Sequence, residues 1–118
     1  MKSRERVLAA LHFEKPDRVP KDLGGMPSTN ISCFAYPGLV AALGLPYRRP
    51  RVYDSSQMLA LPDTDVLDAL GCDVVTLQPN LTNAFPQPDL WCPYNFNGRL
   101  DAEVLNPSDF ETRPDGTI

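Results

Sequence analysis

The sequence has few of the residues from which catalytic and metal centres are usually built. It contains one histidine and three cysteines, so no complete zinc site of the usual kind can be assembled from it. His12 falls near the end of a predicted helix, where a capping or surface role is favoured over catalysis. Cys33, Cys72 and Cys92 are odd in number and far apart, which fits free buried thiols rather than a disulfide framework or a Cys-x-x-Cys site.

Other absences exclude whole classes of protein. There is no phosphate-binding glycine loop, no Ser-His-Asp set with an arguable geometry and no pair of carboxylates at a recognisable spacing. No apolar run approaches the ~18 residues of a membrane span, and no export signal precedes the first helix, so we expect a cytoplasmic protein. The net charge of −4 gives no reason to expect a nucleic acid or an anionic membrane as partner.

The first twenty-five residues predict a helix, a turn and a short strand. Apolar residues recur at helical spacing from Val7 onward, with Ser3 as the expected N-cap and Pro16 ending the helix. Val19–Leu23 is predicted to be extended, and Gly24-Gly25 lets the chain turn sharply.

Two further helices are predicted. One falls within Ser32–Leu43, regular from about Tyr36, with Gly44 after its end. The other covers Asp63–Leu70 and ends at Gly71, and the aspartates on its polar side are expected to form a solvated face. It leads into Cys72–Leu77, an apolar run typical of a buried parallel strand.

The remaining segments predict smaller elements. Val52–Asp54 is expected to be extended and Ser55–Leu61 to form a helical turn capped by Asp54 or Ser55. Asn97-Gly98 is a strong hairpin signal and predicts strands near Trp91–Phe96 and Leu100–Leu105.

The stretch SRERVLAALHFEKPDRVPKDLG, residues 3–24, resembles the opening of the uroporphyrinogen decarboxylase superfamily. The resemblance continues through AYPGLVAALGLP and LPDTDVLDALGCDVV and, more loosely, NGRLDAEVLNPSDFETRPDGTI. It implies an α/β fold, the N-terminal part of a TIM (β/α)8 barrel with an N-terminal helix and a β-hairpin insertion. Residues 1–80 would supply the helix and the first barrel units, and residues 81–118 a loop-rich insertion in the same domain.

The chain is shorter than this fold requires. A barrel of this kind typically needs about 250 residues, and the sequence has 118. We therefore expect either the N-terminal part of a longer enzyme or a truncated chain, and the closing DGTI favours truncation because it resembles a turn before a strand.

The superfamily includes the decarboxylase of haem synthesis and corrinoid-linked methyltransferases. The decarboxylase would carry an Arg-Gln-Ala-Gly-Arg segment where this chain has Gly-Gly-Met-Pro-Ser, residues 24–28, so methyl transfer is favoured and porphyrinogen decarboxylation is the alternative. The methyltransferases bind zinc through a His-x-Cys pair and a later cysteine, both late in the full-length chain. This segment alone should therefore bind no cofactor and be inactive, whereas the full-length protein would use zinc and a corrinoid protein as partner.

A different class of function also remains open: a truncated, non-catalytic chain that acts through oligomerisation or by binding a partner that completes its core. Two barrel strands alone would leave unpaired edges and exposed apolar helix faces, so such a chain should self-associate.

Candidate binding residues for a small-molecule substrate follow from strand ends, where barrel active sites lie. They are the loop residues Gly25, Met26 and Ser28 and, after the second strand, Gln78 and Asn80.

Two polar groups are candidates on other grounds. Asp54 is more often a cap than a catalytic carboxylate in such a position, although a carboxylate beside Arg48 or Arg51 would deserve a test. The cluster Arg48-Arg49-Pro50-Arg51 is either a solvated loop or a site for a substrate carboxylate, a phosphate or a corrinoid tail.

Overall fold

The computed structural model describes residues 1–77, 90–111, 113–115 and 117. Within them the fold is mixed α/β, with three helices and two small antiparallel sheets. The helices are α1 (Ser3–Leu11), α2 (Tyr36–Ala42) and α3 (Thr64–Leu70), and the strands are β1 (Val52–Asp54), β2 (Leu59–Ala60), β3 (Cys92–Asn95) and β4 (Asp101–Val104). None of the helices in the described ranges is long and apolar enough to cross a membrane.

The three predicted helices are confirmed, with one correction at the start of α1. Lys2, not Ser3, occupies the N-cap position, and its backbone N–H donates to the Glu5 carboxylate at 3.0 Å. Helix α2 begins at Tyr36 because Pro37 is tolerated only in the first turn. Gly71 ends α3 in the left-handed conformation, with a φ of 65°.

The two sheets are hairpins. The predicted helical turn over Ser55–Leu61 is wrong, because the chain turns back after β1 and pairs as β2. The predicted hairpin around Asn97-Gly98 is confirmed as β3 and β4, with Cys92 opposite Val104 and Asn95 opposite Asp101.

The two strands predicted at Val19–Leu23 and Cys72–Leu77 are absent, since neither segment has strand structure. The segments nevertheless lie side by side, and the Asp73 N–H donates to the Lys21 carbonyl at 2.8 Å. The Lys21 N–H donates to the Asp73 carboxylate rather than to a backbone carbonyl. A side chain thus takes the place of a ladder acceptor, which explains why no regular strand pair forms.

The core lies between α2, α3 and both hairpins. Its fully buried members include Tyr36 and Val40 from α2, Val66 from α3, and Phe96 and Val104 from the second hairpin. The hairpin predicted as part of an insertion therefore contributes to the same core as the helices. The Glu103 N–H also donates to the Pro50 carbonyl at 2.9 Å, which joins β4 to the chain just before β1.

A network of charged groups joins α1 to the chain after α3. The Asp73 side chain is 0% exposed and accepts hydrogen bonds from Arg6, from Arg18 at 2.6 Å and from the Lys21 N–H at 3.0 Å. Arg6 also pairs with Asp17, through Nε at 2.6 Å. The Lys21 N–H, followed by the arginines, holds the pKa of Asp73 well below its usual range.

We predict that Asp73→Asn lowers the unfolding midpoint sharply, because it leaves two arginines facing a neutral amide. Asp101→Asn is the matched control, since it breaks a half-exposed pair with Arg49 that contributes at most ~1 kcal/mol. Thermal unfolding followed by circular dichroism measures both. Equal midpoints for the two variants would contradict a central role for Asp73.

The stabilisation that Asp73 provides depends on pH. The folded-state pKa of Asp73 is depressed, so its stabilisation is present above the unfolded-state pKa of about 3.9 and is lost as the pH falls below it. The wild-type midpoint should therefore fall more steeply below about pH 4 than that of Asp73→Asn.

Candidate functional site

A cleft of about 360 Å³ opens between the start of α3, the chain before β1 and the ends of the 19–23 and 72–77 segments. The lining residues are Leu23, Gly24, Arg48, Arg51, Leu61, Pro62, Asp63, Thr64, Asp65, Leu67, Val75, Thr76 and Trp91. Its wall combines apolar side chains with a few convergent polar groups, which is the usual composition of a small-molecule site.

The cleft lies at the carboxyl ends of two segments that run in the same direction. The Asp73 N–H donates to the Lys21 carbonyl, and further along both segments Gly25 lies against Val74, so the contacts advance together. Gly24 ends the first segment and Thr76 lies near the end of the second, and both line the cleft. In parallel α/β folds this is the edge at which ligands bind.

Gly24 and Gly25 allow this loop to approach Pro62 and Val74 closely. Gly24 has a φ of 80°, and a Cβ placed there would lie 2.7 Å from Cγ of Pro62. A Cβ on Gly25 would lie 2.8 Å from Cγ1 of Val74. Side chains at these positions would push the loop away from the α3 entrance and from the 72–77 segment.

One wall of the cleft is a chain of hydrogen-bonded polar groups. The buried Tyr36 hydroxyl donates to Asp63 Oδ2 at 2.6 Å and accepts from the Asp63 N–H at 2.7 Å. Arg48 donates to Asp65 at 2.6 Å and lies 3.7 Å from Asp63. Burial and the neighbouring carboxylate raise the pKa of Tyr36 above its ordinary value, so its hydroxyl stays protonated and holds Asp63 in place.

The opposite wall is built around Arg51. Its Nε donates to Glu103 on β4 at 3.0 Å, and its guanidinium carbon lies 5.6 Å from the centroid of the Trp91 ring. Trp91 is 8% exposed and leads into β3. The second hairpin therefore fixes both the arginine and the aromatic surface beneath it.

The structure shows how the arginines of the basic cluster are paired. Each of its arginines pairs with a carboxylate: Arg48 with Asp65, Arg49 with Asp101, and Arg51 with Glu103. Arg48 and Arg51 line the cleft whereas Arg49 does not. The cluster is thus an ordered tether between α3 and β4, with two members facing a site.

The residues predicted for the site fall elsewhere, as far as the described residues extend. Gly25, Met26 and Ser28 follow the lining residue Gly24 in the chain but are not among the residues that line the cleft. Asp54 accepts from the Gln57 N–H at 2.9 Å and the Ser56 hydroxyl at 2.8 Å, so it stabilises the turn of the first hairpin rather than capping the predicted helical turn. These bonds, the one from Gln57 foremost, lower the pKa of Asp54.

Two further candidates, Gln78 and Asn80, lie outside the described residues. The carboxylates that do stand beside Arg48 and Arg51 are Asp65 and Glu103 rather than Asp54.

Sequence reasoning missed most of the polar lining. Asp63 and Asp65 were expected on a solvated face. They are partly exposed, at 27% and 45%, but they also line the cleft and bond Tyr36 and Arg48. Thr76 and Trp91 carry no local pattern that predicts a site. The predicted N-terminus of α3 was the one local signal near the site. It can be assigned to the cleft only when the tertiary contacts are known.

The cysteines do not form a reactive or metal-binding centre in the described part of the chain. Cys33 is fully buried, and burial raises its pKa to about 12, so it stays a thiol at neutral pH. Burial also raises the pKa of Cys72. Within the described ranges, no group of three or more His, Cys, Asp or Glu side chains could hold a metal ion.

Comparison of the chain with protein-family models, with curated proteins and with solved structures finds no match.

Tyr36→Phe tests the hydrogen-bonded wall. Removing the hydroxyl leaves the Asp63 N–H and carboxylate without that partner, so we expect a loss of about 1–3 kcal/mol in the free energy of unfolding. Tyr47→Phe is the control, since Tyr47 is mostly exposed and should change stability by less than about 0.5 kcal/mol. Urea unfolding of both variants measures the difference. An unchanged free energy of unfolding in Tyr36→Phe would show that the wall does not depend on this bond.

Proposed function

We propose that this chain is the N-terminal portion of a uroporphyrinogen decarboxylase-like barrel enzyme, most readily a corrinoid- and zinc-dependent methyltransferase of the cytoplasm. The single observation that supports it most is the position of the cleft. It lies at the carboxyl ends of two adjacent segments of the same direction, joined by the Lys21–Asp73 backbone bond, and barrel enzymes bind substrate at that end.

The described residues do not fit a zinc site, because they contain no suitable ligand group. In this proposal the zinc ligands therefore belong to chain beyond the described residues, and the corrinoid belongs to a partner protein. The contribution of this chain is a binding wall: Tyr36 and Arg48 fix Asp63, and Glu103 and Trp91 fix Arg51. Such pre-positioned groups orient a substrate without a cost of reorganisation.

Decarboxylation of a porphyrinogen is the alternative within the same superfamily. It would require several cations facing the substrate carboxylates. Of the two arginines in the cleft, Arg48 is already engaged by Asp65, Asp63 and the Pro46 carbonyl. The charge available to a polycarboxylate is therefore small, which favours methyl transfer.

The test is to read the coding DNA past the Ile118 codon and assay the protein of the complete open frame. An open frame with a His-x-Cys pair and a later cysteine should give transfer of methyl groups from methylcobalamin to a thiol, lost on zinc chelation. Decarboxylation of uroporphyrinogen by the same protein would favour the alternative. A stop codon directly after Ile118 would contradict catalysis by the family mechanism.

The second candidate is a non-catalytic chain that acts by self-association, and exposed apolar surface favours it. An open groove of about 470 Å³ between α1 and residues 73–75 is lined by Val7, Leu8, Val74 and Val75, among others. Phe13 is 100% exposed and Leu77 76%. Patches of this kind mark interaction surfaces.

Sedimentation of the 118-residue chain tests this second candidate. We expect dimers or larger species that dissociate in Leu8→Gln, a change in the groove. Leu90→Gln is the control, since Leu90 is also exposed but lies outside the groove. A sharp monomeric boundary with cooperative unfolding would exclude self-association.

A further inference from the structure

Arg51 differs from the other arginines of its cluster in how much of its guanidinium is committed. Its Nε donates to Glu103, and no bond from Nη1 or Nη2 to another described residue is found. Arg48, by contrast, uses Nη1 for Asp65 and both Nε and Nη2 for the Pro46 carbonyl. Arg51 is therefore the arginine of the cleft wall with donors still available to a ligand within the described part of the chain.

The position of this guanidinium is fixed before any ligand arrives. Glu103 holds one side through Nε at 3.0 Å, and the Trp91 ring lies 5.6 Å from the guanidinium carbon. The Arg51 side chain is 31% exposed and lines the cleft. An arginine held in this way presents two parallel N–H groups, the geometry that matches the two oxygens of a carboxylate or a phosphate.

The carboxylates of the cleft are bonded within their own wall. Asp65 pairs with Arg48 at 2.6 Å, and Asp63 accepts the Tyr36 hydroxyl and lies 3.7 Å from the same arginine, so one arginine serves both carboxylates. Neither carboxylate pairs with Arg51, whose partner is Glu103. Glu103 is not among the residues that line the cleft.

We propose that the cleft binds the oxyanion group of a small molecule, a carboxylate or a phosphate, through Nη1 and Nη2 of Arg51, with an adjoining flat or apolar part against Trp91. This inference specifies the substrate class of the proposed enzyme and rests on that proposal only in taking the cleft as its substrate site. Thr64 and Thr76 supply further hydroxyl groups to the same cleft.

The chain contains a single tryptophan, so fluorescence excited selectively at tryptophan, rather than at the tyrosines, reports on this site. We would titrate the 118-residue protein with sodium acetate and, separately, with inorganic phosphate, each against sodium chloride at matched ionic strength. Wild-type protein should show a saturable change with at least one oxyanion that chloride does not reproduce. Acetate alone would indicate a carboxylate, phosphate alone a phosphate, and both the shared oxyanion chemistry.

Arg49 provides a matched control because its geometry repeats that of Arg51. Its Nε donates to Asp101 on β4 at 2.9 Å, but it lies outside the cleft. We expect Arg51→Gln to weaken oxyanion binding by at least about tenfold, the effect of losing a charge-assisted bidentate pair. Arg49→Gln should retain wild-type binding within about twofold, since surface charges away from a site act only weakly.

Arg51→Lys tests whether binding needs the planar pair of donors or only the positive charge. It also provides a second variant if Arg51→Gln does not fold. Lysine keeps the positive charge but not the planar pair of donors, so binding should again fall while circular dichroism stays that of the wild type. No saturable response in the wild type, or equal binding by Arg51→Gln and Arg49→Gln, would overturn the proposal. Failure of the methyl-transfer assay with oxyanion binding intact would overturn only the proposed enzyme activity.

Discussion

Asp73 is the residue on which the arrangement of the N-terminal half depends. Its buried carboxylate accepts from α1 through Arg6, from the following turn through Arg18 and from the backbone of Lys21. A buried charge is costly unless it is fully paired, so these three groups must be in place together. One carboxylate thus sets the distance between the 19–23 and 72–77 segments, and with it the edge at which the cleft opens.

The cleft is a product of tertiary contacts from distant parts of the chain. Tyr36 comes from α2, Asp63 from the entrance of α3 and Trp91 from the approach to the second hairpin, yet they line or support one space. The two sides differ in kind. The Tyr36–Asp63–Arg48 side is closed by its own hydrogen bonds, whereas Nη1 and Nη2 of Arg51 bond no other described residue. This difference between the two sides is the reason for the proposal that a ligand binds at the Arg51 side of the cleft.

Local sequence rules predicted the elements whose ends are set by proline and glycine. Helix α2 starts where Pro37 permits it, α3 stops at Gly71, and the second hairpin turns at Asn97-Gly98. The rules failed where a side chain from elsewhere intervened. Asp73 takes the Lys21 N–H from the expected strand ladder, and Arg48 pairs with Asp65 at the cleft although the Asp65 side chain stays 45% exposed. Neither pairing leaves a trace in the spacing of the sequence.

The two arginine pairs on β4 fit one alignment of this strand. Asp101 and Glu103 are two residues apart, as are their partners Arg49 and Arg51, whereas Ala102 and Val104 point into the core. Sliding β4 by one residue would drive both carboxylates into the apolar interior and leave both arginines without counterions. The ion pairs and the buried Ala102 and Val104 therefore favour the same alignment of β4, and an alignment shifted by one residue would lose both.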